Sequence, residues 1–172
     1  MREYFLETSR MQFSHWSADD LSLAMLLWGE EAVTRYITKR GLFTEAEIRT
    51  RLELEINNQK SYHVQYWPVF EKVTGEFIGC CGLRPYDLDK SIYEMGFHLR
   101  SKYWGKGLAT EAANAVIQYS MKNLKVTSFF AGHNPCNTNS KRVLEKLGFL
   151  YDGDVFYEPT GIYHPSYKWS KK

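Results

Sequence analysis

The stretch "RSKYWGKGLATEA", residues 100–112, joins an apolar strand-like run to an alanine-rich helix-like run. Within it, Gly105 and Gly107 flank Lys106. Glycine lets backbone amides approach a ligand closely, and the free N–H groups at the start of a helix suit a phosphate. The stretch therefore predicts an anion site in which the amides of residues 104–109 point at a diphosphate, with added charge from Lys106. A glycine-containing entry into a tightly packed helix is the structural alternative.

The glycine pattern also distinguishes between classes of phosphate-binding protein. A P-loop would end in GK[ST], and a dinucleotide site would carry GxGxxG, whereas only Gly105 and Gly107 are present here. The stretch therefore indicates neither a nucleotide hydrolase nor a dinucleotide enzyme.

Composition and charge narrow the classes of protein. At 172 residues the chain suits one domain, residues 1–172, with a packed core. The net charge is +2 with both signs mixed along the chain, so nucleic acid is not expected as a partner. No signal peptide and no apolar run of membrane length is visible, from which we expect a cytoplasmic location and no membrane partner.

The three cysteines, Cys80, Cys81 and Cys136, show no CxxC motif and no metal-ligand spacing with histidine. We expect reduced thiols and no metal site. A covalent route through Cys136 is possible in principle, because a thiolate is a competent nucleophile, but no histidine is patterned to activate it.

The hydrophobic periodicity predicts a mixed α/β (α+β) fold with an internal βαβ unit. The predicted strands are 11–16, 62–70, 77–83, 91–99, 126–131 and a closing hairpin from residue 149 onward, and the predicted helices are 18–28, 44–58, 106–123 and 138–147. Capping boxes at Ser17 and Thr44 mark two helix starts. Pro68 indicates a weakened strand, a bulge or an edge, and Gly96 a bulge or a close backbone approach.

A second motif, "NTNSKRVLEKLGF", occupies residues 137–149. Taken alone it predicts a helix capped by Asn137, with Ser140 at the third helical position and Gly148 as the C-terminal stop.

Three segments together resemble a known family. "YEMGFHL", "YWGKGLATEA" and "NTNSKRVLEKLGF", at these separations, are similar to the GNAT superfamily of acyl-CoA N-acyltransferases, and within it to the branch of the ribosomal-protein N-terminal acetyltransferases RimJ and RimL. "LETSRMQF" resembles the opening strand of that branch and "GEFIGCCGL" its third. The resemblance implies a mixed, mostly antiparallel sheet of about seven strands, flanked by about four helices, with a bulged fourth strand.

The resemblance also implies a set of residues for acetyl-CoA, the expected co-substrate. The family loop matches Trp104, Gly107 and Ala109, although Trp104 replaces the usual Gln or Arg. The full set expected to bind the cofactor is Phe97, His98, Leu99, Trp104, Gly105, Lys106, Gly107, Leu108, Ala109, Thr110 and Asn137. In the family, the main chain of the strand before the loop binds pantetheine, so the backbone of His98 should matter more than its ring.

Two side chains match the family's catalytic positions. Glu94 matches the acidic residue proposed as the base, acting directly or through water, and Ser140 matches a serine proposed to protonate the departing thiolate. A strand glutamate that serves only as a hydrogen-bonded structural carboxylate is the alternative for Glu94.

The resemblance implies an N-acetyltransferase that acts on an amine, either a protein N-terminus or a small molecule, as a monomer or homodimer. In the family the acceptor is chosen by the first two helices and the closing hairpin, here residues 18–58 and 157–169. The acidic residues of "TEAEIRTRLELE" are expected on the solvated face of a helix, although they could attract a cationic amine. A non-catalytic acyl-CoA sensor and an unrelated phosphate-binding protein remain the alternatives.

Overall fold

Eight β-strands form one sheet in the computed structural model, which describes residues 1–171. The strands are β1 (Leu6–Glu7), β2 (Met11–Phe13), β3 (Tyr66–Glu71), β4 (Phe77–Asp87), β5 (Ile92–Leu99), β6 (Ser128–Gly132), β7 (Leu150–Tyr157) and β8 (Ile162–Ser170). They lie in the order β1-β2-β3-β4-β5-β6-β8-β7, and every neighbouring pair is antiparallel except β5 and β6. The predicted mixed, mostly antiparallel sheet is confirmed, and the short β1 is an addition to it.

Five α-helices flank the sheet. They are α1 (Leu21–Trp28), α2 (Glu31–Thr34), α3 (Glu45–Tyr62), α4 (Leu108–Tyr119) and α5 (Thr138–Lys146). The four predicted helices correspond to α1, α3, α4 and α5, whereas the four-residue α2 has too short a pattern to be recognised in the sequence. The βαβ unit is β5-α4-β6, as predicted.

Two hydrophobic cores lie on opposite faces of the sheet, because successive side chains of a strand point to opposite faces. On β3, Trp67 and Val69 join the core that includes α4 and α5, whereas Tyr66 and Phe70 join the core that includes α1 and α3. The two helix groups are therefore separated by the sheet, and only a gap in the sheet can connect them.

That gap opens between the two parallel strands. Only three residue pairs of β5 and β6 are in register, from Ile92 opposite Ser128 to Glu94 opposite Phe130. Beyond Glu94 the second half of β5 has no pairing with β6. Backbone groups there are left available, and this opening positions the candidate site.

The predicted fourth strand corresponds to β5, and the bulge that was expected in it lies elsewhere. The register of β5 with β4 is continuous through Gly96, and the shift falls between Pro85 and Asp87 on β4. Gly96 instead allows a close approach, since a Cβ there would lie 2.2 Å from Cζ of Tyr66. Pro68 lies in a central strand rather than at an edge, directly before a register shift between Val69 and Phe70.

Both predicted capping boxes are present. Thr44 and Glu47 cap α3 reciprocally, and Ser17 with Asp20 cap a short 3-10 turn that precedes α1. Gly148 ends α5 with φ of +86°. One expectation for α3 is wrong: Glu45, Glu47 and Glu53 are exposed, but Glu55 of the same acidic segment is fully buried.

Candidate active site

A cavity of about 630 Å³ occupies the gap between β5 and β6. Its wall contains every residue predicted for catalysis or cofactor binding except Lys106. The residues it brings together are Glu94, Phe97, His98, Leu99, Trp104, Gly105, Gly107, Leu108, Ala109, Thr110, Asn137 and Ser140. Segments some 45 residues apart in the chain thus share one concave surface.

The glycine loop has the backbone conformation that its sequence suggested. Gly105 and Gly107 have φ of +72° and +74°, a region that side-chain-bearing residues rarely adopt. A Cβ on either glycine would meet no atom closer than 3.7 Å, so the dihedral angle and not the space requires glycine. The amides of residues 108–110 open α4 and have no acceptor within the helix, so they can bind an anion.

Trp104 is tied to the protein rather than open to a ligand. Its amide donates to the carbonyl of Ser101 at 3.0 Å, and its indole Nε1 donates to the carbonyl of Leu99 at 2.7 Å. The amide of Trp104 is therefore not among the free amides expected in the loop. Its side chain holds the end of β5 against the loop, a structural role for the residue that departs from the family pattern.

The loop is anchored from outside the cavity. Arg10 donates from Nη1 to the carbonyl of Lys106 at 2.9 Å and from Nε to Oε2 of Glu111 at 2.7 Å. Thr8 donates to Oε1 of the same carboxylate at 2.7 Å. The ammonium of Lys106 lies 5.4 Å from the ring centre of Tyr103, and the residue is absent from the cavity wall.

The His98 ring is held neutral. Burial lowers the pKa of His98 well below its ordinary value, and the nearby positive charges of Arg51 and Arg84 act in the same direction. Trp28 Nε1 donates to Nδ1 of His98 at 3.2 Å, which assigns the proton to Nε2. The ring can therefore donate a hydrogen bond but has no free basic nitrogen.

Glu94 lies where β5 and β6 part, with its side chain half-buried in the cavity wall. The hydroxyl of Tyr66 donates to Glu94 Oε1 at 3.0 Å. Burial raises the pKa of Tyr66 well above its ordinary value, and the charge of Glu94 acts in the same direction, so the phenol keeps the proton it donates. The carboxylate is thus oriented by one bond and still faces the cavity.

Asn137 and Ser140 begin α5 beside the loop. Asn137 Oδ1 accepts a hydrogen bond from the amide of Ser140 at 3.2 Å, so the predicted helix cap is confirmed. Both residues also line the cavity. The capping bond fixes where the hydroxyl-bearing residue stands relative to the opening of the sheet.

The sequence analysis missed several polar side chains of the cavity wall. They are Arg51, Arg84, His133, Tyr157 and His164. Helical spacing could have indicated the first, because Arg51 follows the buried Ile48 by three residues and so stands beside the buried face of α3. The others lie on strands or loops that carry no motif, and only the folded sheet brings them together.

A buried ion pair supports this wall. Arg84 forms a salt bridge with the fully buried Glu55, and Glu55 Oε2 also accepts from the amide of Tyr66 at 2.7 Å. The Arg84 guanidinium lies 4.1 Å over the Tyr66 ring. The pair therefore holds both α3 and the phenol that orients Glu94.

Residues 1–171, which the structure describes, contain no group of three or more metal-ligating side chains. They also contain no helix with the length and apolarity to span a bilayer.

Several known proteins are similar to this chain in sequence or in fold. A family model, described as an acetyltransferase (GNAT) domain, matches residues 10–150. The uncharacterized protein YkkB of Bacillus subtilis is 31% identical over 148 residues, which cover 84% of this chain and 85% of that protein. The uncharacterized N-acetyltransferase p20 of Bacillus licheniformis is 26% identical over 148 residues, covering 86% and 83%. RimL, the ribosomal L7/L12 α-N-protein acetyltransferase solved with coenzyme A, superposes with a TM-score of 0.82 at 14% identity over 98% of each chain.

Proposed function

Because this chain belongs to the GNAT acetyltransferase family, we propose that it transfers the acetyl group of acetyl-CoA to a primary amine by direct attack, with both substrates bound together. The observation that supports the mechanism is the placement of Glu94 and Ser140 on the wall of the cavity that the glycine loop enters.

The loop fits the diphosphate of acetyl-CoA. The free amides that open α4 lie at the positive end of its helix dipole, and the left-handed glycines turn the chain so that the backbone can reach an anion. Arg142 and Lys146 of α5 add two cations to the same cavity. The co-substrate would supply a thioester, whose carbonyl carbon accepts the amine.

The unpaired half of β5 suits the pantetheine arm. The Leu99 carbonyl accepts from Trp104 Nε1, but the other backbone groups of residues 97–99 that β4 leaves free are not used by β6, so they can bond an amide-bearing chain laid along the strand. A backbone N–H there can also stabilise the charge that develops on the thioester oxygen. These roles rest on the main chain, which is consistent with the engaged ring of His98.

Glu94 is proposed to take the proton that the amine releases. The new C–N bond forms as the C–S bond breaks, and the ammonium proton passes to Glu94 directly or through a water molecule. A protein α-amine has an ordinary pKa of about 8 and a lysine amine about 10.4. A carboxylate is a weak base, so it suits the less basic α-amine or an acceptor of similar basicity.

Ser140 is proposed to return a proton to the departing sulfur. Its hydroxyl is a donor of the right kind, and the Asn137 cap fixes it at the first turn of α5. Cys136, which precedes the cap, is absent from the cavity wall, so nothing in the geometry favours a covalent route through its thiol.

The test is acetyl-CoA-dependent thiol release against N-terminal peptides, amino acids, polyamines and aminoglycosides. We expect Ser140→Ala and Glu94→Gln each to lower kcat by roughly ten-fold or more, toward the ~100-fold lower bound that is typical of acid–base groups. Thr138→Ala is the matched control, because this hydroxyl lies on the same helix turn but outside the cavity.

Coenzyme A binding is measured in parallel by calorimetry. Failure to bind coenzyme A would overturn the proposal at its first step. Tight binding without thiol release for any amine would instead favour a non-catalytic acyl-CoA sensor. Equal rates for Ser140→Ala and the wild type would remove Ser140 from the mechanism and leave transfer itself intact.

A further inference from the structure

Arg51 of α3 presents to the cavity a positive charge that no direct ion pair satisfies. Its side chain lines the wall, and its Nε is enclosed by protein without a hydrogen-bond partner among residues 1–171. No carboxylate of the same residues forms an ion pair with it. An arginine carries five N–H donors and stays charged in proteins, so this group requires acceptors from elsewhere.

Other arginines of the described chain that are at least partly buried have at least one polar partner, which makes Arg51 distinct. Arg84 is paired with Glu55, and Arg2 with Asp20. Arg100 also has an enclosed Nε without a partner, but its Nη1 donates to the carbonyl of Phe77 at 3.0 Å.

Two aromatic rings hold Arg51 in place. Its guanidinium carbon lies 5.2 Å from the ring centres of both Trp28 and Phe43. Such stacking stabilises a cation through the faces of the rings, but it leaves the in-plane N–H donors unbonded. Burial lowers the pKa of Arg51, and the charge of Arg84 acts in the same direction. The rings therefore fix the guanidinium in a set orientation without satisfying it.

The anion that completes Arg51 is not a phosphate of acetyl-CoA. The glycine loop opens α4, which packs on one face of the sheet, whereas Arg51 belongs to α3 on the opposite face. Arg142 and Lys146 already supply cations on the face of the loop. Arg51 therefore serves whatever enters the cavity from the side of α3, which is the acceptor in the proposed reaction.

We propose that the acceptor is a primary amine that also carries a carboxylate, with the carboxylate bound by Arg51 and the amine directed to Glu94. The two side chains line one cavity and carry opposite charges, which matches an acceptor whose ammonium and carboxylate are separate. The planar guanidinium fork is suited to bidentate binding of a carboxylate. The single positive charge of the Arg51 guanidinium would balance the single negative charge of the acceptor's carboxylate. This inference rests on the acetyl transfer proposed above.

The experiment compares paired acceptors that differ only in the carboxylate. Thiol release is measured with α-, β- and γ-amino acids and with their carboxamides, and a second arm uses peptides with Asp or Asn next to the N-terminus. The wild type should favour at least one carboxylate over its amide by about ten-fold or more in kcat/KM, in the range for hydrogen bonds to charged groups. The two arms distinguish a free amino acid from an acidic protein N-terminus.

Arg51→Gln should abolish that preference by lowering kcat/KM for the carboxylate and leaving the amide unchanged. Arg49→Gln is the control, because Arg49 lies on the same helix but pairs with Glu45 at the exposed surface. Coenzyme A affinity should be the same in all three proteins. Loss of coenzyme A binding or of all transfer in the wild type would count against the proposed function instead.

A second readout needs no turnover. With coenzyme A present, the N-acetyl derivative of at least one amino acid of the panel should raise the Tm of the wild type more than its carboxamide does, and Arg51→Gln should remove the difference. The proposal is overturned if no carboxylate is preferred over its amide in either readout, or if the preference survives in Arg51→Gln.

Discussion

The phenol of Tyr66 on β3 reaches past β4 to donate a hydrogen bond to Glu94 on β5, at 3.0 Å between Oη and Oε1. Two strands apart, the residues meet only because Gly96 carries no side chain under the ring. The conformation of the proposed base therefore depends on a glycine two residues further along the same strand.

Gly96→Ala should disrupt this relationship. The new Cβ would lie 2.2 Å from Cζ of Tyr66, so the ring must move and the bond to Glu94 is lost. We expect a fall in kcat and a loss of about 1–3 kcal/mol in the free energy of unfolding, the usual cost of overpacking. Gly132→Ala, whose Cβ would find its nearest neighbour at 3.6 Å, should keep its Tm. An unchanged kcat in Gly96→Ala would show that the ring position does not matter for catalysis.

Tyr66→Phe isolates the hydroxyl from the ring. A hydrogen bond to a charged group contributes about 1.5–3 kcal/mol, so kcat should fall by about 10- to 100-fold if the bond is needed in the transition state. KM for acetyl-CoA should stay the same, because Tyr66 lies away from the glycine loop. If Tyr66 acts only by orienting the Glu94 carboxylate, the double variant Tyr66→Phe/Glu94→Gln should have the same kcat as Glu94→Gln alone.

Gly107→Ala should weaken acetyl-CoA binding through backbone strain. A left-handed conformation costs a side-chain-bearing residue about 1–2 kcal/mol, and relief of that strain would displace the amides that begin α4. KM for acetyl-CoA should rise by roughly 5-fold or more. Gly75→Ala is the control, since Gly75 has a similar φ of +73° in a turn outside the cavity. It should show a comparable loss of stability with an unchanged KM.

Glu55→Gln tests the buried ion pair beneath the cavity. The amide can still accept from the backbone of Tyr66, but it leaves the Arg84 charge without a partner. Breaking a buried pair costs about 3–5 kcal/mol, and urea unfolding should show a loss approaching that range. Glu45→Gln, which breaks an exposed pair with Arg49, should cost less than about 1 kcal/mol. If Glu55→Gln and Glu45→Gln lost the same free energy of unfolding, burial would not determine how much an ion pair contributes to stability.

The free energy of unfolding should fall as the pH drops below about 6.5. Burial lowers the pKa of His98, so between its folded and unfolded pKa values the unfolded chain binds the extra proton. Stability from this group is thus present above the unfolded pKa and is lost toward acid, by up to about 1.4 kcal/mol per pH unit. In His98→Gln the free energy of unfolding should change less steeply with pH. NMR should show that the His98 ring of the wild type is still neutral at pH 6. A protonated ring at that pH would contradict the assignment.

Most of the architecture could be read from local patterns. Reciprocal caps at Thr44 and Ser17, the αL glycine at 148 and the periodic apolar residues predicted the main helices, because each signal acts within a few residues along the chain. The glycine loop and the Asn137 cap were found for the same reason, and the structure brings both to one cavity.

The errors have a common physical origin in contacts between distant segments. Glu55 was assigned to a solvated face together with the other acidic residues of its helical segment, but pairing with Arg84 allows the carboxylate to be buried. For Gly96 both a bulge and a close approach were open, because a sequence does not show that a tyrosine from another strand will cover it, and the structure selects the close approach.

The chain's own order of residues was sufficient to indicate the family and the strand–loop–helix motif, and to propose two catalytic side chains. Packing decided the polar part of the cavity wall, because Arg51, Tyr66, Glu94 and Tyr157 come from separate elements that meet only across the sheet. Charge compensation is likewise a property of neighbours in space. Whether an arginine is paired, as Arg84 is, or has an enclosed Nε without a partner, as Arg51 has, depends on which acceptors the fold brings within reach.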